Sequence, residues 1–262
     1  MSIKEFINQI TENTSLIIRG VLFLTFLGHG LVSLKLSPSY GLHYNIVSSI
    51  DFIQSPEIFL TYQGVFDIIL ALFFLFGLLP TITSMFAMLY LIIVGIAAWI
   101  FYYSQTASLF GLAEVLRRTP WLMFSLFLLL SSWKDKKMFS LIRIGVSFAF
   151  LAHGVASLGF MGLKGGHIEL ATNILSEETA MEFVVYAGIS DVIIGLSLLT
   201  GLFSRYFIYI GVVWIILIVI LSAMTAFPDA IFRSGFLLSA IYVAIDQRCH
   251  KNTLFNLNFS AN

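Results

Sequence analysis

Eight stretches of the chain are apolar over the length a helix needs to cross a membrane, about 20 residues for a hydrocarbon core of about 30 Å. They run Leu16–Leu34, Phe59–Leu79, Ile82–Phe101, Arg118–Trp133, Leu141–Phe160, Phe183–Phe203, Tyr206–Met224 and Ala230–Ile245. In lipid every backbone polar group must be satisfied internally, which leaves helices and closed barrels. No segment alternates with period two over about ten residues, so the barrel is excluded. The charged residues agree: 14 Lys and Arg balance 14 Asp and Glu in 262 residues, too few to cover a water-soluble globule of this size. Zero net charge and the lack of a basic run exclude nucleic acid as a partner, and the hydrophobicity excludes disorder. The single cysteine, Cys249, excludes an intrachain disulfide and any Cys-x-x-Cys motif. The first stretch does not read as a cleaved signal peptide. It is too long, it follows a mostly polar segment, and no small-x-small site comes after it.

The breaks between the stretches are turns. Gly77-Leu-Leu-Pro80 and Gly201-Leu-Phe-Ser204 each join two helices tightly, and Ser131–Lys137 is a short charged link. One side carries Lys4, Lys134, Lys136, Lys137, Arg205, Arg248 and Lys251, with Arg19 and Arg143 near that edge. The other carries Lys35, Arg117, Arg118, Lys164 and Arg233. The excess predicts both termini in the cytoplasm, in a multi-pass plasma (bacterial inner) membrane, with the loops 35–58 and 159–182 outside. Arg19 and Arg143, one turn inside the inner edge, are expected to snorkel to the interface as anchors.

The chain is also a duplication. An offset of 124 residues superposes Arg19 on Arg143, Phe26 on Phe150, His29 on His153, Gly30 on Gly154, Ser33 on Ser157, His43 on His167, Tyr62 on Tyr186, Gly64 on Gly188, Asp67 on Asp191 and Gly77 on Gly201 without a gap. Beyond the third span the offset falls to 115, which superposes Glu114 on Asp229 and Arg118 on Arg233. Chance aligns apolar residues in two greasy segments but not the few ionisable ones. Four spans per copy make both copies enter from the same side. The expectation is an all-α integral membrane protein of eight transmembrane helices in two tandem parallel four-helix bundles, 1–138 and 139–262.

Arg19-x9-His29-Gly30-x-x-Ser33-Leu34, Tyr62-x-Gly64-x-x-Asp67 and Gly77-Leu78, repeated as Arg143-x9-His153-Gly154-x-x-Ser157-Leu158 and Tyr186-x-Gly188-x-x-Asp191, resemble the DoxX/DoxD family. The resemblance covers both copies, about 16–133 and 140–247. It implies a membrane subunit of the thiosulfate:quinone oxidoreductase type, with quinone as cofactor and Tyr62 and Tyr186 beside the ligand. Many members are single four-helix units, so a tandem fusion departs from the pattern.

Depth along each span follows from about 1.5 Å of rise per residue. His29, Asp67 and Arg118 then fall at one level, about 18 to 22 Å above the inner edge, and His153, Asp191 and Arg233 repeat this. A titratable side chain in the bilayer costs several kcal/mol unless paired or hydrated, so each trio reads as a functional His–Asp–Arg cluster. The carboxylate orients the imidazole, and the guanidinium holds the carboxylate or forks onto an anionic ligand. Glu114 and Asp229 precede Arg118 and Arg233 by one helical turn and are placed to pair with them. His43 and His167, in the outer loops, are placed to cap the sites. The competing reading is that these groups only tie helices together, each contact being worth about 1 kcal/mol. No His-x-x-His, Glu-x-x-His or cysteine ligand set supports a metal. Bis-histidine haem ligation by His29 and His153 is a minor alternative.

The function expected is that of a component of a quinone-linked redox process, in which a His/Asp pair supplies the protons of quinone reduction. No flavin, haem, iron–sulfur or dithiol motif is present, so electrons come from a partner subunit or directly from substrate. The alternatives are a transporter or binder of a small anion or lipophilic molecule, and an assembly factor for a membrane complex.

Overall fold

The computed structural model describes residues 13–106, 110–130, 136–160, 168, 171–172 and 174–250. They are helical throughout: α1 (Thr14–Ser33), α2 (Tyr40–Ser48), α3 (Pro56–Phe76), α4 (Pro80–Thr106), α5 (Phe110–Arg117), α6 (Thr119–Leu129), α7 (Lys136–Ser157), α8 (Glu177–Thr200), α9 (Ser204–Thr225), α10 (Phe227–Ile245), and a closing 3-10 turn Gln247–His250. Among the described residues seven helices are long and apolar enough to cross a membrane, α1, α3, α4 and α7 to α10. Their outward faces carry large apolar side chains, such as Ile69 and Phe76 on α3 and Ile210, Val213 and Leu217 on α9. That is the surface of a multi-pass membrane protein.

Local chemistry sets the ends. Pro56 opens α3 with Glu57 in its first turn, and Gly77 closes it at φ +66°. In α8 Ser176 caps the start by accepting from the Thr179 N–H, and Gly201 closes it at φ +81°. Both glycines take the left-handed conformation that L side chains resist, as the tight turns require. The fourth expected span behaves differently. Among the described residues it is the short helix α6, set off at Arg118 from the shorter α5 before it, and neither is long enough to cross alone. Pro120 has no N–H for the carbonyl of Leu116. The Thr119 hydroxyl lies 2.6 Å from that carbonyl and 2.9 Å from the carbonyl of Gly145 on α7, so the break is satisfied where it occurs.

The copies are not self-contained bundles. α1 packs on α3, as expected, but also along α10 of the second copy. α7 packs on α8 and along α5 and α6 of the first copy. Each copy thus lends its fourth helical element to the first helix of the other. One core cluster runs through both, including Phe26, Phe74 and Phe124 with Phe150, Ile142 and Tyr242. Apolar periodicity marks which face of a helix is buried but not which of two equivalent stripes covers it. Small residues settle that here. A Cβ on Gly28 of α1 would lie 2.6 Å from the Phe232 Cα on α10, and one on Gly145 of α7 would lie 3.0 Å from the Thr119 carbonyl oxygen.

At the end of the molecule where α1 begins and α10 finishes, Asp246 accepts from Arg248 Nη2 at 2.6 Å and from the Tyr242 hydroxyl at 2.7 Å. Arg248 also reaches Thr14 at 3.0 Å and stacks over Phe139 at 4.0 Å, joining the first helix to the last. Burial pushes the thiol of Cys249 well up, so it stays neutral. Arg143 corrects an expectation: it does not snorkel but is 1% exposed, with Nε and Nη1 unpartnered. Its helix is covered here by the closing turn.

Candidate functional site

Asp67 sits on α3 with no exposed surface, in a helix otherwise built of apolar residues. α1 crosses α3 where Gly30 meets Gly64. A Cβ on Gly30 would stand 2.8 Å from the Gly64 carbonyl oxygen. This close approach brings His29 Nδ1 to 2.8 Å from Asp67 Oδ2. The hydroxyl of Tyr90, from α4, donates to the same carboxylate oxygen at 3.0 Å and lies 3.3 Å from His29 Nδ1. Gln63, one turn before Asp67, donates its amide to the Tyr90 oxygen at 2.8 Å. Asp67 Oδ1 is buried without a partner among the described residues.

A second imidazole roofs the first. α2, a short helix in the loop between α1 and α3, stacks His43 over His29 with ring centroids 4.6 Å apart. His43 Nδ1 is 3.2 Å from the Ser33 hydroxyl. The result is one polar chain, Gln63–Tyr90–Asp67–His29, with His43 stacked on its histidine end. One hydrogen bond joins His29 Nδ1 to the Asp67 carboxyl oxygen, and the Tyr90 hydroxyl donates to that same oxygen. Such an arrangement can take up a proton at one end and release one at the other.

Arg118, at the break between α5 and α6, lines a narrow cavity with His29, Tyr90, Trp121 and the apolar walls Phe26 and Phe232. The cavity has room for about one water molecule. Arg118 Nη1 pairs with Glu114 Oε2 at 3.1 Å, as the one-turn spacing predicts, and Arg117 grips the other oxygen of the same carboxylate. Arg118 is within electrostatic reach of His29, His43 and Tyr90.

Burial pushes His43 well below the ordinary histidine range, and the neighbouring His29 and Arg118 add to this against an opposing contribution from Glu114. The sign for stability follows. The unfolded chain takes up a proton below about pH 6.5 while the folded His43 does not, so its contribution is lost as pH falls below that value. The melting temperature is therefore expected to drop from pH 7.5 to pH 5 by less in His43→Gln than in the wild type, measured by thermal unfolding in detergent. An equal drop in both would show that His43 titrates normally.

In the second copy Asp191 is likewise buried, with Oδ1 unpartnered, and lies within electrostatic reach of Arg117. His153 lies against the ring of Phe236 on α10, with centroids 6.3 Å apart. His167 lies outside the described residues. Asp229 does not form the expected ion pair among the described residues. It accepts hydroxyls from Ser37 at 3.0 Å and Ser39 at 2.8 Å, tying the loop after α1 to the start of α10. Arg233 remains within electrostatic reach of Asp229. Tyr62 and Tyr186 are not brought to the centre: they are 73% and 68% exposed on the outward faces of α3 and α8. Five residues separate each from its aspartate, which turns it about 140° around the helix.

Sequence reasoning missed Tyr90, Gln63, Trp121 and Phe232. Gln63 carried a signal, a neutral amide one turn from a buried carboxylate in an apolar helix. Tyr90 carried none, being one of ten tyrosines. Among the described residues no group of three or more His, Cys, Asp or Glu is disposed to hold a metal. No family model matches the chain, and comparisons with curated proteins and with solved structures find no match.

Proposed function

We propose that the chain is a DoxX-like membrane component of a quinone-linked redox process, with the His29–Asp67–Tyr90 centre as its proton-exchange site. In this reading it crosses the membrane eight times, α5 and α6 together making the broken fourth crossing, with both termini in the cytoplasm. The observation that carries it is the 2.8 Å contact between His29 and a fully buried carboxylate, whose same oxygen accepts the Tyr90 hydroxyl. A group of helices held together only by polar ties has no need of two titratable partners on one buried oxygen. The apolar walls and the nearby donors suit a flat ring bearing carbonyl oxygens. The cavity is water-sized, so entry of a ring requires Phe232 or Trp121 to swing aside.

Quinone reduction takes two electrons and two protons. A partner redox subunit supplies the electrons. The chain's own part is to deliver protons at the carbonyl oxygens: Tyr90 and His29 give them up, and Asp67 holds both donors in place and takes up their replacements. The alternative of a small-anion carrier draws support from Arg117 and Arg118 sharing one carboxylate.

Lipids extracted from the purified chain, analysed by mass spectrometry, test the reading. Retained quinone, in amounts that fall in Asp67→Asn, is the expected result. Protein that carries no quinone, and whose proteoliposomes move an anion with no electron donor present, would replace this reading with the carrier.

A further inference from the structure

The duplicated sites differ in residues that the repeat's own offsets bring into register. Under the offset of 124, Gln63 corresponds to Ala187 and Tyr90 to Trp214; under the offset of 115, Trp121 corresponds to Phe236. The second copy keeps the histidine and the aspartate but has no counterpart of the Gln63–Tyr90 hydrogen-bond chain. Trp214 instead packs its ring on Phe183, with centroids 5.5 Å apart. The indole of Trp121 is 4% exposed, it lines the cavity beside Arg118 and His29, and its N–H has no acceptor among the described residues. A buried N–H left unpaired costs about 1–3 kcal/mol. At the corresponding place Phe236 has no N–H to satisfy.

We infer that the copies have diverged into one ligand-binding site and one structural site, and that the Trp121 indole N–H and Arg118 together hold an accepting oxygen of the ligand in the first copy. The inference rests on the function proposed above and narrows it. The ligand class is the one proposed above, a flat carbonyl compound whose oxygen accepts from the indole N–H and the guanidinium together. The oxygen held there stands on the side of the cavity reached by Tyr90 and His29, so the residues that bind it and those that protonate it belong to one copy. The second copy contributes α10, whose Phe232 closes the cavity. It also contributes Asp229, which ties down the loop leading to His43.

The test uses the full chain in nanodiscs, titrated with a short-chain benzoquinone by equilibrium dialysis. The wild type is expected to bind one equivalent per chain. Trp121→Phe, which makes the first copy resemble the second, is expected to weaken binding about tenfold, the value of one hydrogen bond. Phe236→Trp should leave affinity within twofold. Two equivalents per chain in the wild type would overturn the divergence, even if Trp121→Phe failed to fold. Unchanged affinity in folded Trp121→Phe would overturn the role of the indole and leave the proton-exchange reading standing. A wild type that binds no quinone at all would overturn both.

Discussion

Asp67→Asn is expected to lower quinone-linked turnover by about 10²-fold or more, the usual worth of a positioned acid–base group, while the protein remains folded. Asparagine keeps the volume of the aspartate in a site with no exposed surface. Its carbonyl oxygen can still accept the Tyr90 hydroxyl, and its amide can still meet His29. What is lost is the titratable carboxyl that meets His29 at 2.8 Å. The amide neither takes up nor releases a proton, so the chain from Gln63 to His29 is cut at its centre. The cost to stability is the weakening of charge-assisted bonds to neutral ones, about 1 kcal/mol. Asp191→Asn serves as the comparison. That carboxylate is also buried, but no Tyr90 equivalent stands beside it, so turnover should stay within about threefold of wild type. Turnover and thermal unfolding measured on the same preparations separate chemistry from structure. If Asp67→Asn lost activity only in proportion to a lowered melting temperature, the cluster would be a helix tie. If both variants lost activity alike, both copies would be at work.

Much of this site was legible in the chain. His29 and Asp67 were placed at one depth by counting residues along two spans, and the contact between them follows from the glycines that let α1 and α3 approach. The Glu114–Arg118 pair followed from one-turn spacing. What was not legible depends on rotation and on partner choice. Tyr62 shares a short motif with Asp67, yet helix geometry turns it outward. Tyr90 looks like any tyrosine in an apolar helix until α4 is docked. The helix break beside Arg118 has a signal in Thr119-Pro120, which an apolar count beginning at Arg118 does not register. Arg143 was taken for an interfacial anchor because depth alone cannot tell that the turn after α10 folds back over it. The largest miss was the exchange of fourth elements between copies. A repeat read from sequence defines what is duplicated, not which copy packs against which.

That exchange is open to a direct test, with the largest stability effect expected in the molecule. Gly28 faces α10 of the second copy, where a Cβ would stand 2.6 Å from the Phe232 Cα and 2.7 Å from its Cβ. These are backbone and near-backbone atoms that no rotamer change can move aside. Gly28→Leu must therefore push α1 away from α10 over much of their contact. Overpacking a well-packed core costs about 1–3 kcal/mol even where side chains can yield. Here they cannot, so the loss should exceed that range and consume a large part of a typical stability of about 5–15 kcal/mol. Gly95→Ala is the opposite case. Its nearest neighbour would be the Val115 Cγ2 at 3.6 Å, an ordinary contact. The change removes a flexible residue from the interior of α4, which should stabilise by up to about 1 kcal/mol. Thermal unfolding in one detergent should thus show the two glycines shifting the midpoint in opposite directions. If the copies folded as separate bundles, α1 would not meet α10 at Gly28, and a leucine there would be tolerated. A Gly28→Leu protein that melts with the wild type would therefore remove the interleaving, and with it the shared wall that Phe232 gives to the first copy's cavity.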